Sequence, residues 1–220
     1  MDYGWLCMSS KLYLFLLVLI LVLYYSQFIY SSISRFKGNS ENVIRICQGD
    51  NIALTFDDGP KEITPKILDI LKANNVTATF FLRGDNIKKY PEIFKRIENE
   101  GHIIGTHTYS HKKLTSLNEL EIRKEIDKSF IYFRPPYGSY DREVIKITKK
   151  YGIKIVLYSY SSIDWILPGF LINLNTYNIR KGDIVLFHDL KRTVKQLDKI
   201  IKRLKSKGYN LVSIEQCKGV

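Results

Sequence analysis

Cysteine is scarce in this 220-residue chain, and the three present, Cys7, Cys47 and Cys217, form no CxxC pair and no zinc-ligand spacing. Cysteine therefore does not build the site. Cys47 and Cys217 flank the folded region, and both a disulfide formed after export and two separate thiols are open on spacing alone. The chain also has no zinc finger, no RNP-like aromatic pattern and no arginine block, so no nucleic-acid partner is expected despite a formal net charge of +12. One further absence concerns the single long apolar run. Its exit reads Ser26-Gln27-Phe28-Ile29-Tyr30, without the small-x-small pattern that signal cleavage needs.

That run covers residues 12–30, 19 positions, long enough for a helix across the hydrocarbon layer, with Tyr24, Tyr25 and Tyr30 suited to the headgroup region. We read residues 1–11 as a flank, 12–30 as a transmembrane anchor or an uncleaved signal and 31–42 as a polar linker. Residues 43–220 read as one catalytic or binding domain. The charges on either side of the run are too balanced to orient it. Residues 1–42 carry three cations against two anions, so the domain itself keeps about +11, which suits an anionic surface such as a wall polymer.

Within the domain, short apolar runs at 51–56, 78–82, 102–106, 131–134, 153–158, 183–187 and 210–213 read as strands. Helical patterns alternate with them, opened by Thr64-Pro65, by Pro91, by Asn118 with Glu121 three residues on, by Asp141 and near Arg192. Seven strands alternating with helices predict an α/β fold with a parallel sheet, open or closed into a barrel, and with functional groups on the loops after the strands.

Those strand ends carry unusual residues. The first delivers Thr55-Phe56-Asp57-Asp58-Gly59-Pro60, two adjacent carboxylates before a turn. The third delivers His107-Thr108-Tyr109-Ser110-His111, whose imidazoles, four apart, would share a face in a helical turn. Two imidazoles with one carboxylate leave coordination positions open, the pattern of a catalytic metal site. The fourth delivers Arg134-Pro135-Pro136-Tyr137-Gly138. The next two deliver Asp164-Trp165 and Phe187-His188-Asp189. Three of the four histidines stand at these positions; the fourth, His102, opens a strand after Gly101 and reads as structural.

TFDDGP, HTYSH, RPPYG, the Asp-Trp pair and LFHD, in this order, resemble the polysaccharide deacetylases of carbohydrate esterase family 4. The resemblance implies a distorted (β/α) barrel of about seven parallel strands. It also implies metal-dependent removal of acetyl groups from N-acetylglucosamine units of peptidoglycan or a related polysaccharide such as chitin. Carried over position by position, Asp58, His107 and His111 match the ligands of a divalent metal, usually zinc. Asp57 matches the general base and His188 the general acid. Arg134 would hold Asp57, and Asp164 would tune His188 or anchor Arg134. The backbone N–H of Tyr137 would stabilise the oxyanion, while Trp165, Leu186 and Tyr137 would contact substrate. Two departures stand out: Ser161 occupies a position that usually carries Asp, and only 22 residues (112–133) separate HTYSH from RPPYG. So short a crossover threatens the placement of Arg134 and Tyr137. The expected enzyme sits on the cell membrane with its domain outside the cytoplasm. The alternatives are a catalytically silent wall-binding module and a metal amidase acting on a small molecule.

Overall fold

The computed structural model describes residues 39–217, with the backbone alone at Leu174, together with positions 14, 18, 21, 22, 25, 26, 29, 30, 32, 33 and 37. The flank 1–11 and most of the expected anchor 12–30 lie outside the described residues. Among those described, no helix is long and apolar enough to cross a membrane.

Nine strands form one sheet: β1 (Val43–Ile44), β2 (Asn51–Gly59), β3 (Thr79–Leu82), β4 (Ile103–Thr106), β5 (Tyr132–Phe133), β6 (Lys154–Val156), β7 (Tyr160–Ser161), β8 (Ile184–His188) and β9 (Asn210–Val212). Their order is β1-β6-β5-β4-β3-β2-β8-β7, with β9 paired to the start of β2, and every ladder between them is parallel. The parallel sheet curls into a half-barrel, which fits the expected distorted (β/α) barrel, with nine strands where about seven were expected. β1 and β7, the two ends of the order, do not pair with each other. Each is only two residues long, which is why neither shows as a run in the sequence.

Among the described residues, seven α-helices connect the strands: α1 (Thr64–Ala73), α2 (Gly84–Lys89), α3 (Pro91–Asn99), α4 (Glu119–Glu125), α5 (Arg142–Lys150), α6 (Gly169–Asn175) and α7 (Lys191–Ser206). Local chemistry explains several of their starts. Asn118 and Glu121 form a reciprocal capping box on α4, and the Asp141 carboxylate accepts from Val144 N–H at α5.

Alternation along β2 assigns its two faces. Leu54 and Phe56 point outward into the main core, where Phe56 stacks on Phe80 and Phe187 at 5.0 and 5.7 Å and α1, α3 and α7 cover them. Ala53, Thr55 and Asp57 point inward, and the facing residues of β8 are Ile184, Leu186 and His188, in direct register. The inner face therefore grades from apolar at its base, where Ala53 and Ile184 join Cys47, Cys217 and Phe81, to ionisable at its mouth. Cys47 and Cys217 are joined as a disulfide across that base, with Cα atoms 4.5 Å apart.

Candidate active site

In a regular strand Asp57 and Asp58 would face opposite sides of the sheet. The β2/β3 register shifts between Asp57 and Gly59, and Asp58 takes a left-handed φ of 69°. That bulge turns both carboxylates toward the same mouth. Asn86 of α2 fastens it, its side-chain amide donating to the Asp58 carbonyl at 2.8 Å.

Asp58 Oδ1 faces the Nε2 atoms of His111 and His107 at 3.3 and 3.8 Å, and ligand atoms of the three residues lie within 4.8 Å of one another. The two imidazoles do not share a helical face, as their spacing suggested. Residues 107–113 are irregular, and left-handed φ values at Thr108 (65°) and His111 (63°) fold the chain back on itself. The Thr108 hydroxyl accepts from His111 N–H at 2.9 Å, while the buried Glu125 carboxylate takes Ser110 N–H and Oγ–H. Glu125 ends α4, so the short crossover itself braces the histidine loop.

His107 donates from Nδ1 to the Arg134 carbonyl at 2.7 Å, which leaves Nε2 as the lone-pair nitrogen facing Asp58. Burial pulls His107 below its ordinary pKa, outweighing Asp57 and Asp58, so the ring is held neutral. Burial pushes Asp58 the other way, but the fields of His107, Lys61, His111 and His188 leave it net lowered. Asp58 Oδ1 is buried without a hydrogen-bond partner. An orphaned carboxylate oxygen facing two imidazole nitrogens fits a divalent cation, and this donor set suits zinc among others.

Asp57, only 4% exposed, accepts from Arg134 Nη1 at 2.8 Å. Arg134 is itself buried. It also donates to Thr55 Oγ1 and to the carbonyls of Val156 and Leu157, and its guanidinium lies 4.1 Å from the Phe81 ring centroid. The short crossover has not displaced it, because its backbone N–H bonds Thr106 O across the β4–β5 ladder. Arg134 thus orients Asp57 with its side chain and His107 with its carbonyl.

On β8, His188 Nδ1 sits 2.7 Å from Asp164 Oδ1, and Asp164 Oδ2 accepts from His188 N–H and the Thr193 hydroxyl. Of the two roles open to Asp164, the geometry selects the contact with His188, since Arg134 is held elsewhere. Burial lowers His188, but the Asp164 hydrogen bond and charge, with Asp57 and Asp58, leave its pKa raised. Ser161 serves local structure, its Oγ accepting from Ile163 N–H at 3.2 Å.

These groups line one cavity of about 330 Å³ whose walls include Tyr137, Trp165, Leu186 and Leu190. Trp165 meets the His188 ring edge-on at 5.0 Å, and Tyr137 meets His111 at 4.9 Å with a left-handed φ of 60°. Tyr158 also lines the cavity, and the Tyr30 ring stacks on it at 4.9 Å. His102 lies elsewhere, accepting Ala78 N–H.

Reading the motifs alone missed Thr55, Asn86, Glu125, Thr193 and Asp189. Thr55 had a signal, standing two residues before Asp57 on the same strand face. Asp189 is fully buried, accepts the Thr64 hydroxyl and fills the space that a Cβ on Gly59 would take, 2.6 Å from Oδ2. Burial pushes its pKa up to about 7.

With the geometry in place, comparison with known proteins decides the family. The polysaccharide deacetylase family profile matches residues 47–156. The chain belongs to this family. It is 43% identical over 182 residues to a peptidoglycan-N-acetylglucosamine deacetylase of Bacillus cereus, covering 74% of this chain and 66% of that relative's length. It also resembles a crystallised peptidoglycan N-acetylglucosamine deacetylase in complex with a naphthyl-benzamide (TM-score 0.75, 39% identity, 80% of this chain and 92% of that one). A Bacillus anthracis pseudoenzyme of carbohydrate esterase family 4 is similar as well (TM-score 0.76, 29% identity, 82% and 70%). Family membership is therefore secure, while turnover has to be argued from the site.

Proposed function

We propose that this chain is a membrane-tethered, metal-dependent deacetylase that removes N-acetyl groups from N-acetylglucosamine units of peptidoglycan or a related wall polysaccharide. One observation carries the reading: a ligand set (Asp58, His107, His111), a carboxylate held by arginine (Asp57–Arg134) and the His188 imidazole, backed by the buried Asp164 carboxylate, line a single cavity.

Asp58, His107 and His111 would hold the cation. When bound, it supplies Lewis-acid polarisation of the acetamide carbonyl and acidifies water, and zinc is the cation we favour. Asp57 takes a proton from the attacking water as the oxygen adds to the carbonyl carbon. Arg134 keeps that carboxylate aimed through its hydrogen bond. The backbone N–H of Tyr137 is our candidate donor to the developing oxyanion. His188, kept protonated by Asp164, gives its proton to the amide nitrogen as the C–N bond breaks, so the products are acetate and the free amine of the sugar. Leu186 closes the apolar end on the acetyl methyl group, and Trp165 and Tyr137 flank the sugar.

Residues 12–30 are our proposed anchor and 31–42 the linker, with the domain outside the cytoplasm. The Cys47–Cys217 disulfide supports an oxidising compartment. The test separates turnover from binding. Asp57→Asn is expected to keep a full equivalent of metal and lose acetate release, and His107→Ala to lose the metal. Metal retention by His107→Ala, or undiminished turnover by Asp57→Asn, contradicts the assignments. The pseudoenzyme alternative predicts metal without acetate from any acetylated glycan.

A further inference from the structure

The cavity accommodates one acetylated sugar, yet the surface beyond its His188 wall is built differently from ordinary surface. The segment after Trp165 exposes Ile166 (53%) and Phe170 (65%), large apolar side chains with nothing packed over them. The start of α7 borders this segment. Arg192 donates to the Leu167 carbonyl at 3.3 Å, and a Cβ on Gly169 would lie 3.2 Å from the Gln196 side chain. Leu190, the N-cap of α7, is itself a wall of the cavity.

On α7, Lys191, Arg192 and Lys195 are exposed and form no ion pair among the described residues. The only acid on the helix, Asp198, is taken by Lys202 at 2.8 Å and by Asn74 at 2.9 Å. α6, packed alongside, carries no charged residue, and Asp164 is buried against His188. With no ion pair among the described residues, the three cations present a positive face.

We propose that Ile166, Phe170, Lys191, Arg192 and Lys195 form a subsite for the wall strand next to the sugar being deacetylated. The apolar side chains pack on sugar faces and the cations pair with carboxylates carried on that strand. The occupant is a glycan bearing carboxylate side groups, such as peptidoglycan with its stem peptides. Charge complementarity selects it over a neutral chitin-like chain, and the position selects it too, because a polymer leaving the cavity past Trp165 meets these residues next. The inference rests on the deacetylase reading and deepens it. It makes the exposed apolar and cationic faces one functional surface, as patches of this kind commonly are.

The test uses the full chain loaded with metal. Lys191→Glu/Arg192→Glu/Lys195→Glu and, separately, Phe170→Ala are compared with the unaltered protein, each checked for unchanged thermal unfolding. Two readouts are taken: pelleting with insoluble peptidoglycan before and after its peptides are stripped by an amidase, and KM for acetate release from a peptide-bearing fragment and from a neutral chitooligosaccharide. Exposed charge pairs are individually weak, so we expect the triple variant to raise KM on the peptide-bearing fragment about ten-fold more than on the neutral one. We also expect pelleting that falls with salt and with peptide removal. Equal KM changes on both substrates, or pelleting indifferent to the peptides and to the triple variant, overturns the proposal. Absence of acetate from both substrates by the unaltered protein would instead strike at the deacetylase reading, and the pelleting comparison still decides the subsite.

Discussion

Replacing Arg134 with Met tests the most buried element of the site. The substitution keeps most of the side-chain bulk against Phe81 and removes the guanidinium, which is 1% exposed. Four contacts go with it: Asp57 Oδ1, Thr55 Oγ1 and the Val156 and Leu157 carbonyls. Asp57 is left as a carboxylate without its guanidinium partner, with the neutral His107 Nε2 at 3.8 Å. Breaking a buried pair by removing one partner typically costs about 3–5 kcal/mol. In a domain of this size each kcal/mol moves the midpoint about 2–4 °C, so Tm should fall on the order of 10 °C. The measurement is thermal unfolding by circular dichroism, in chelator so that metal binding does not contribute. Much of the loss is the charge left stranded on Asp57. The double variant Arg134→Met/Asp57→Asn should therefore recover about half of it, the remainder reflecting the two carbonyls that lose their donor. With metal restored, acetate release by Arg134→Met should fall on the order of a hundred-fold, the cost of a misplaced reacting group. A double variant as unstable as Arg134→Met alone would refute the reasoning, since the stranded carboxylate would then not be the source of the loss.

Other perturbations follow from the same contacts. Asp164→Asn removes the hydrogen bond and charge that raise His188, so burial would dominate and the imidazole would lose its proton at lower pH. The alkaline limb of the acetate-release profile should move toward neutral pH, and an unmoved limb would contradict the general-acid role. Asp189 carries a pKa raised to about 7 by burial, so ionising it costs the fold stability as pH rises from the usual carboxylate value to about 7. Asp189→Asn should match the unaltered protein near pH 4 and become progressively more stable than it up to neutral pH, with no further gain above; a pH-independent difference would contradict this. Cys47→Ser opens a cross-link spanning 170 residues, which on chain-entropy grounds should cost about 5 kcal/mol, read as a lower denaturant midpoint matched by reducing the unaltered protein.

The alternation of strands and helices was legible because β2, β3 and β8 carry apolar runs buried on both faces. β1 and β7 were not legible: both are two-residue strands at the ends of the sheet order, whereas the equally short β5 falls within the run read at 131–134. The chemistry-bearing residues could be picked out by their order at strand ends, but their geometry could not. Asp58 reaches the mouth through a bulge, and His111 reaches His107 through left-handed residues and the Glu125 brace, both tertiary arrangements that the local pattern does not encode. The spacing of the histidines suggested a helical turn, and hydrogen bonds from a distant helix produced a loop instead. Asp164 had two possible partners in the sequence, and only the β7–β8 pairing, which sets Ser161 opposite Leu186 and brings Asp164 to His188, resolves them. Asp189 follows His188 directly, yet its burial against Gly59 and Thr64 depends on how β8 and the turn after β2 meet.

The most direct test of the account is acetate release by the full chain from peptidoglycan and from a chitooligosaccharide, measured as isolated, after removal of metal by a chelator, and after zinc is returned. The account predicts release that is lost on chelation and restored by the metal, with a free amine formed on the sugar for each acetate. Release that persists without metal, or zinc bound stoichiometrically with no acetate from either glycan, contradicts it.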